Sequence, residues 1–240
     1  MVPGSSPGMP TRGRVAQWLE RFTDIEEVHR FKSCRAHMKI IYQDNDLLVY
    51  DKPAGINCDD FSKRVHRLDK DTSGILLIAK TDKVLEFLQK QFKERKVKKK
   101  YLALVVGNLK NKEGVIETLI GRSPSDRKKQ KVYLAHEPGS QRKRKAITKY
   151  KVWQRFRDYD LIEVELKTGR KHQIRTHFAY LGHPIAGDKM YRFKNQPAPE
   201  ELKRHFLHSH YLKIKLPNGR EKEFKSELPD DLKEILNDLK

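Results

Sequence analysis

Short apolar runs separated by polar turns dominate the sequence from residue 38 onward, and they predict more strands than helices. Residues 39–43 and 47–51 flank Asp44-Asn45-Asp46, which predicts a β-hairpin. The uninterrupted apolar run at 74–79 is typical of a buried central strand. Further strands are predicted at 100–106, 114–120, 147–156, 160–166, 211–216 and 221–224. Pro217-Asn218-Gly219 predicts a hairpin between the last two.

Three segments have helical periodicity. Residues 82–95 follow Thr81, a suitable N-cap, and place Val84, Leu85, Leu88 and Phe92 on one face. Residues 170–181 and the C-terminal segment from about 230 are the other two. Residues 122–145 are basic and turn-rich, and we expect a long loop or an exposed hairpin there. Because strands outnumber helices, the pattern predicts an α+β fold with a mostly antiparallel mixed sheet flanked by helices.

Residues 1–37 differ from the rest in composition, and we expect them to lie outside a core domain that spans 38–240. Gly4–Pro7 and Arg30–Ser33 can both be encoded by codons that contain the string GGTTCAAGTCC, read in two different frames, and this string resembles the T-arm of a tRNA gene. We therefore hypothesise that the start is mis-assigned and that translation begins at Met38.

The chain is strongly basic, with 52 Lys and Arg against 32 Asp and Glu. A protein of this charge attracts polyanions, and nucleic acid is the first candidate. The runs at 126–131 (DRKKQK) and 141–145 (QRKRK) are candidates for phosphate contacts, and a solvated charged hairpin is the alternative.

Several classes of protein are disfavoured. No segment has the ~20 apolar residues that span a bilayer, and no secretory signal is evident. The two cysteines form no CxxC pattern, so we expect a reducing, cytoplasmic setting without structural zinc. Phosphate-binding glycine motifs are absent, which disfavours nucleotide-dependent chemistry.

Two polar clusters could carry chemistry. Residues 66–74 (HRLDKDTSG) precede the predicted central strand, where Asp69 is a candidate nucleophile or base. The alternatives are a turn with local hydrogen bonds, or two-carboxylate glycoside chemistry from Asp69 and Asp71. Residues 168–177 (TGRKHQIRTH) open a helix whose other face is apolar. A solvated basic face is the alternative there, although Arg175 adjoins the apolar stripe and would need a carboxylate partner if buried.

These clusters resemble motifs of the RluA-type RNA pseudouridine synthases. HRLDKDTSGILLIAKT (66–81) is similar to the family's catalytic motif, and IIYQDNDLLVYDKPAG (40–55) to the strand pair before it. KKKYLALVVG (98–107) resembles the segment with the active-site tyrosine, and LKTGRKHQIRTHFAYLGHPIAGDKMY (166–191) the arginine-bearing motif. LHSHYLKIKLPNG (207–219) and SELPDDL (226–232) resemble the C-terminal part.

The resemblance implies roles for individual residues. Asp69 corresponds to the nucleophilic aspartate, and Arg175 to the arginine that pairs with it. Tyr101 corresponds to the tyrosine that stacks on the target base, and Arg67 to the arginine that fills the space left by the flipped nucleotide. Within the same motifs we expect substrate contacts from a set of five residues: His66, Arg67, Arg170, His172 and Gln173.

The implied reaction isomerises uridine to pseudouridine in structured RNA, with rRNA favoured over tRNA. It needs neither cofactor nor metal, and the implied fold is the pseudouridine synthase catalytic fold. Whether the aspartate attacks C1′, attacks C6 or acts as a base stays open. We expect a monomer that lacks the S4 RNA-binding module of many relatives. The alternatives from other classes are a catalytically silent RNA-binding or ribosome-assembly factor and a glycosidase-like enzyme.

Overall fold

The computed structural model describes residues 38–240. The expectations for residues 1–37, including the start at Met38, lie outside the described residues. No helix within 38–240 is long and apolar enough to cross a membrane.

Ten strands of the described region form one mixed sheet. Their order is β1-β2-β3-β9-β4-β8-β7-β5-β6, and β10 pairs with β9 beside this path. The bounds are Lys39–Gln43 (β1), Leu47–Lys52 (β2), Ser73–Ala79 (β3), Lys98–Val106 (β4), Glu113–Arg122 (β5), Gln130–Tyr133 (β6), Arg144–Arg155 (β7), Tyr159–Leu166 (β8), Leu207–Lys215 (β9) and Glu221–Lys225 (β10). The pairs are antiparallel except for β3 with β9, which confirms the predicted α+β fold with a mostly antiparallel mixed sheet.

The short parallel contact between β3 and β9 brings two distant parts of the chain together. Ser73 pairs with His208 and Gly74 with Ser209. Gly74 has a positive φ of 110°, and a Cβ at this position would lie 2.3 Å from the Ser209 carbonyl oxygen. Only glycine lets the two backbones approach this closely. The loop before β3 is thereby anchored at the centre of the sheet.

Three α-helices of the described region pack beside the sheet: α1 (Asp82–Lys93), α2 (Gln173–Tyr180) and α3 (Asp230–Asp238). The Thr81 hydroxyl accepts a hydrogen bond from the Val84 N–H, as the predicted N-cap requires. Val84 and Leu88 of α1 join a core of side chains from β2, β3 and β9, to which β3 contributes Ile75, Leu77 and Ala79. All seven residues of β3 are buried. The continuous apolar run of β3 therefore marks a strand covered on both faces.

One predicted helix begins later than expected, and the structure distinguishes between the two alternatives given for 122–145. The helix expected from 170 begins at Gln173. His172 has a left-handed φ of 54°, and this conformation cannot be part of a right-handed helix. For the region 122–145, the hairpin is the predicted alternative that the structure contains: β6 pairs antiparallel with β5 at the edge of the sheet, and a short 3-10 turn follows at Ser140–Arg142. A four-residue edge strand with two charged or amide side chains has too little apolar periodicity to be recognised.

Candidate active site

Eight residues predicted for the site line one open cleft of about 320 Å³, within the usual size range for ligand cavities. They come from the loop before β3, from β4, and from α2 with the loop that leads into it. The residues are His66, Arg67, Asp69, Tyr101, Arg170, His172, Gln173 and Arg175. The sequence therefore identified groups that lie together although up to 109 positions separate them in the chain.

Asp69 lies in a turn that is held from several sides. Its carbonyl oxygen accepts a hydrogen bond of 3.0 Å from the Thr72 N–H. The Thr72 hydroxyl hydrogen-bonds with His205 Nε2 at 2.8 Å, and the Ser73 hydroxyl with His208 Nδ1 at 2.9 Å. The turn that was predicted as an alternative to a catalytic site is thus present, and its hydrogen bonds hold the backbone that carries the Asp69 carboxylate.

Lys52 supports the same loop from below. Its side chain is fully buried, and its ammonium donates to the carbonyl oxygens of Pro53 (2.8 Å), Ile56 (3.0 Å) and Lys70 (3.0 Å). Burial lowers the pKa of Lys52 to about 8. Three carbonyls thus converge on one cation and join the end of β2 to the residue that follows Asp69.

The buried Arg175 guanidinium bridges two carboxylates. Its Nη1 donates to Asp69 Oδ2 at 3.0 Å, and its Nε and Nη2 donate to Asp188 Oδ2 at 2.6 Å and Oδ1 at 2.9 Å. A bidentate pair of this kind fixes the plane of the guanidinium. Asp188 therefore determines which nitrogen Arg175 presents to Asp69.

Electrostatics strengthen this arrangement. Burial by itself would lower the pKa of Arg175, but the hydrogen bonds and charge of Asp188, together with Asp69, raise it above its usual value. Burial conversely favours the neutral form of Asp188, yet Arg175 keeps the pKa of that carboxyl below its usual range. Both members of the buried pair are therefore charged at neutral pH.

Asp188 is a carboxylate of the candidate site that the sequence did not predict. It lies within the matched segment 166–191, but no local pattern distinguished it from an ordinary turn residue. The available signal was the prediction that a buried Arg175 needs a carboxylate. Asp188 follows Gly187, whose φ of 73° and tight approach to the Arg204 carbonyl hold the turn in which the carboxylate lies.

His172 and Tyr191 complete the surroundings of the two charged groups. The Tyr191 ring lies 5.1 Å from the Arg175 guanidinium carbon, and its hydroxyl hydrogen-bonds with His172 Nδ1 at 2.9 Å. His172 Nε2 is 3.8 Å from Asp69 Oδ1. Burial lowers the pKa of His172 to about 4, so the imidazole is neutral at neutral pH. Arg175 is consequently the cation that Asp69 meets directly.

Tyr101 and Arg67 occupy the cleft in different ways. Tyr101 is buried on β4, and burial raises the pKa of its hydroxyl above the usual value, so it stays neutral. Arg67 is exposed. The cleft therefore combines a flat neutral ring in its wall with an exposed cation.

Gln173, His66 and Arg170 have partners within the protein. The Gln173 amide accepts from Thr168 Oγ1 and from the Arg170 N–H, and donates to Ile147 O and Thr148 Oγ1. His66 stacks on the Phe92 ring with centroids 5.0 Å apart, and burial lowers its pKa to about 3. The saturated bonding of Gln173 favours a positioning role over direct contact with substrate.

The described part of the chain shows no cluster of side chains that could bind a metal ion together. No group of three His, Cys, Asp or Glu residues within 38–240 is arranged to hold a metal ion. What the cleft offers is one partly exposed carboxylate, a cation that orients it, and neutral ring systems around both.

Comparisons with known proteins place this cleft in context. A family model described as RNA pseudouridylate synthase matches residues 60–180. A protein of Chloroflexus aurantiacus named as an uncharacterized RNA pseudouridine synthase is 43% identical, and the match covers 73% of this chain and 52% of that protein. The chain thus spans about half the length of that relative.

Two further relatives match over more of their length. Ribosomal large subunit pseudouridine synthase D of Pasteurella multocida is 31% identical over 92% of this chain and 77% of its own. The solved structure of human RNA pseudouridylate synthase domain containing 1 superposes with a TM-score of 0.72 at 26% identity, over 83% of this chain and 87% of that one. The likeness extends well beyond the cleft, through most of the sheet.

Proposed function

Because this chain belongs to the RNA pseudouridylate synthase family, we propose that residues 38–240 form a catalytic domain that isomerises uridine to pseudouridine in structured RNA. The observation that carries the proposal is the 3.0 Å contact between Asp69 and Arg175 in a cleft lined by Tyr101. The reaction breaks N1–C1′ and joins C5 to C1′, while C5 loses a hydrogen and N1 gains one. Nothing is oxidised, reduced or hydrolysed.

Each residue has a task that follows from its position. A uridine inside an RNA helix must be flipped out before its glycosidic bond can be reached, at a cost of a few kcal/mol. Tyr101 would stack on the everted uracil, and the exposed Arg67 would occupy the gap that the nucleotide leaves. Asp69 would carry out the chemistry, oriented by Arg175. Positioning of this kind lowers the barrier because the reacting groups need no further reorganisation.

We propose large-subunit rRNA as the substrate, ahead of tRNA. The support is that the Pasteurella multocida relative is named a ribosomal large subunit pseudouridine synthase. Because one chain supplies every predicted site residue, we further propose that a monomer suffices, and that it works in the cytoplasm. The net charge of +20 favours binding to a large polyanion such as rRNA.

The test measures tritium release from RNA labelled at C5 of uridine, because isomerisation exchanges that hydrogen with water. Transcripts of bacterial large-subunit rRNA and of tRNA are offered to the wild type, to Asp69→Asn and to the matched control Asp71→Asn. Asp71 is exposed two positions away. We expect release with the wild type and Asp71→Asn, and none with Asp69→Asn although it still binds RNA. Release by Asp69→Asn would refute the assignment, and binding without release by the wild type would favour a silent RNA-binding protein.

A further inference from the structure

The cleft continues into a second hollow of about 230 Å³, which we call the basic pocket. Five of its lining residues are cationic, and no carboxylate of the described residues lines it. The cationic residues are Lys93, Arg95, Lys99, Lys167 and Arg170. Lys99 and Arg170 line the cleft as well. A ligand in the cleft can therefore extend into the basic pocket without leaving the surface of the protein.

Lys99 lies where the two hollows meet. It precedes Tyr101 by two positions on β4, and residues at this spacing point to the same face of a strand. Its ammonium lies 5.5 Å from the centre of the Phe92 ring. Burial, followed by the charge of Arg170, lowers the pKa of Lys99 to about 8, and no carboxylate within residues 38–240 opposes this effect. A cation held in this way is available to an anion from outside the protein.

The other cations of the basic pocket leave its charge largely uncompensated. Lys167 pairs with Glu165, and the Arg170 side chain donates to the Lys145 carbonyl oxygen at 3.0 Å. Glu94, which lies between Lys93 and Arg95 in the chain, pairs with Lys96, and the charge of Lys93 acts on it without a close contact. Converging positive charges without a partner repel one another and cost stability. A bound anion would relieve that repulsion.

We infer that the basic pocket binds the backbone phosphodiester next to the target uridine, with Lys99 as its central contact. The inference rests on the proposed function, since an everted nucleotide in the cleft stays joined to the RNA through its own phosphates. The basic pocket adjoins that position, because it shares Lys99 and Arg170 with the cleft. Phosphate contacts fix register without reading sequence, so this subsite would position any RNA substrate of the enzyme.

Gly169 keeps the path to the basic pocket open. A Cβ at this position would lie 2.9 Å from Lys99 Nζ. Since the ammonium is the far end of a flexible side chain, Gly169→Ala should displace it and leave the fold intact. This variant moves the Lys99 charge without removing it.

The test measures the affinity of a short fluorescein-labelled oligouridine by anisotropy over a series of KCl concentrations. We expect Lys99→Met to bind about tenfold more weakly, and the salt dependence to fall by about 0.7, the value for one lost contact to single-stranded nucleic acid. The double variant Lys93→Met/Arg95→Met, whose two residues are exposed, should also show a weaker dependence of affinity on salt. It replaces Lys99→Met in the test if that variant fails to fold. The matched control is Lys110→Met, since Lys110 is exposed beyond the opposite end of β4.

A second probe isolates the phosphate. When methylphosphonates replace the phosphates of the oligouridine, the wild type and Lys99→Met should bind alike. Wild-type affinity and slope in both Lys99→Met and the double variant would overturn the inference, and so would an equal loss in Lys110→Met. Tritium release by the wild type is measured in parallel. If the wild type releases none but the salt slopes change as expected, the proposed function fails and the phosphate site stands.

Discussion

Substitution of Asp188 by Asn tests whether a second carboxylate holds the catalytic pair in place. Asp188 is 1% exposed and accepts two hydrogen bonds from Arg175. Its Oδ1 also accepts from the N–H groups of Met190 (2.8 Å) and Tyr191 (3.1 Å). Asn keeps one acceptor but turns an NH₂ group towards a guanidinium N–H. Arg175 then keeps Asp69 as its remaining anionic partner.

The expected cost follows from burial. Removing one partner of a buried ion pair costs about 3–5 kcal/mol. Asp69 compensates the Arg175 charge only in part, because it makes a single contact and its side chain is 21% exposed. For a domain of this size, each kcal/mol lowers Tm by about 2–4 °C, so Tm should fall by roughly 6–20 °C. Asp69→Asn should cost at most about 1 kcal/mol, since its side chain is 21% exposed and Arg175 keeps Asp188.

Thermal unfolding and tritium release together decide the matter. Asp188→Asn should also slow release about 100-fold, because a guanidinium displaced by an ångström no longer orients Asp69. Asp71→Asn, with an exposed side chain, serves as the control for both measurements. A variant that melts with the wild type and turns over at the same rate would show that Asp188 does not hold Arg175.

Two further substitutions probe the support of the catalytic loop. Lys52→Met should cost about 2–4 kcal/mol in urea unfolding, because three carbonyls lose their buried donor. The pKa of Lys52 is about 8 in the folded protein and higher in the unfolded chain, so above pH 8 the unfolded chain binds more protons. The wild type should therefore gain stability relative to Lys52→Met as pH rises from about 8 towards 10. A difference in the free energy of unfolding that stays constant with pH would contradict the burial argument. Gly74→Ala should cost about 2–4 kcal/mol, from its φ of 110° and the clash with Ser209 O. In the control Gly139→Ala, φ is also positive but no atom lies within 4 Å of the new Cβ. An equal loss of stability in this control would show that the clash with Ser209 O contributes nothing.

The elements that the sequence predicted well are those specified by neighbouring residues. The hairpin of β1 and β2 follows from apolar runs and the turn at 44–46, where the Asp44 carboxylate accepts from two backbone N–H groups. The predicted hairpin at 217–219 and the helix capped by Thr81 are confirmed for the same reason. Here the local pattern and the fold favour the same geometry.

What the sequence could not predict depends on distant contacts. The parallel pairing of β3 with β9 joins residues about 135 positions apart, and no local periodicity specifies a partner. The late start of α2 follows from the left-handed φ of His172. In this conformation His172 Nδ1 hydrogen-bonds with the Tyr191 hydroxyl, which lies 19 positions further along the chain. The sequence predicted that a buried Arg175 needs a carboxylate partner. It did not predict that the turn at Gly187 would supply Asp188 as a second partner beside Asp69.

Buried polar groups hold the loop that carries Asp69 in place. A loop that ends in a central strand would ordinarily tolerate movement, yet this one is bonded to three separate parts of the fold. The groups that hold it are almost entirely buried: Lys52, Thr72, Ser73, Arg175, Asp188, His205 and His208. Burial lowers the pKa of His205 and of His208 to about 4, so both bond the loop as neutral rings and add no charge near Asp69. Such a network contributes little net stability compared with apolar packing, but it removes alternative positions for the carboxylate. In the proposed reaction Asp69 is therefore held in place before substrate binds, and the eversion of the uridine that we propose would bring the nucleotide to this carboxylate.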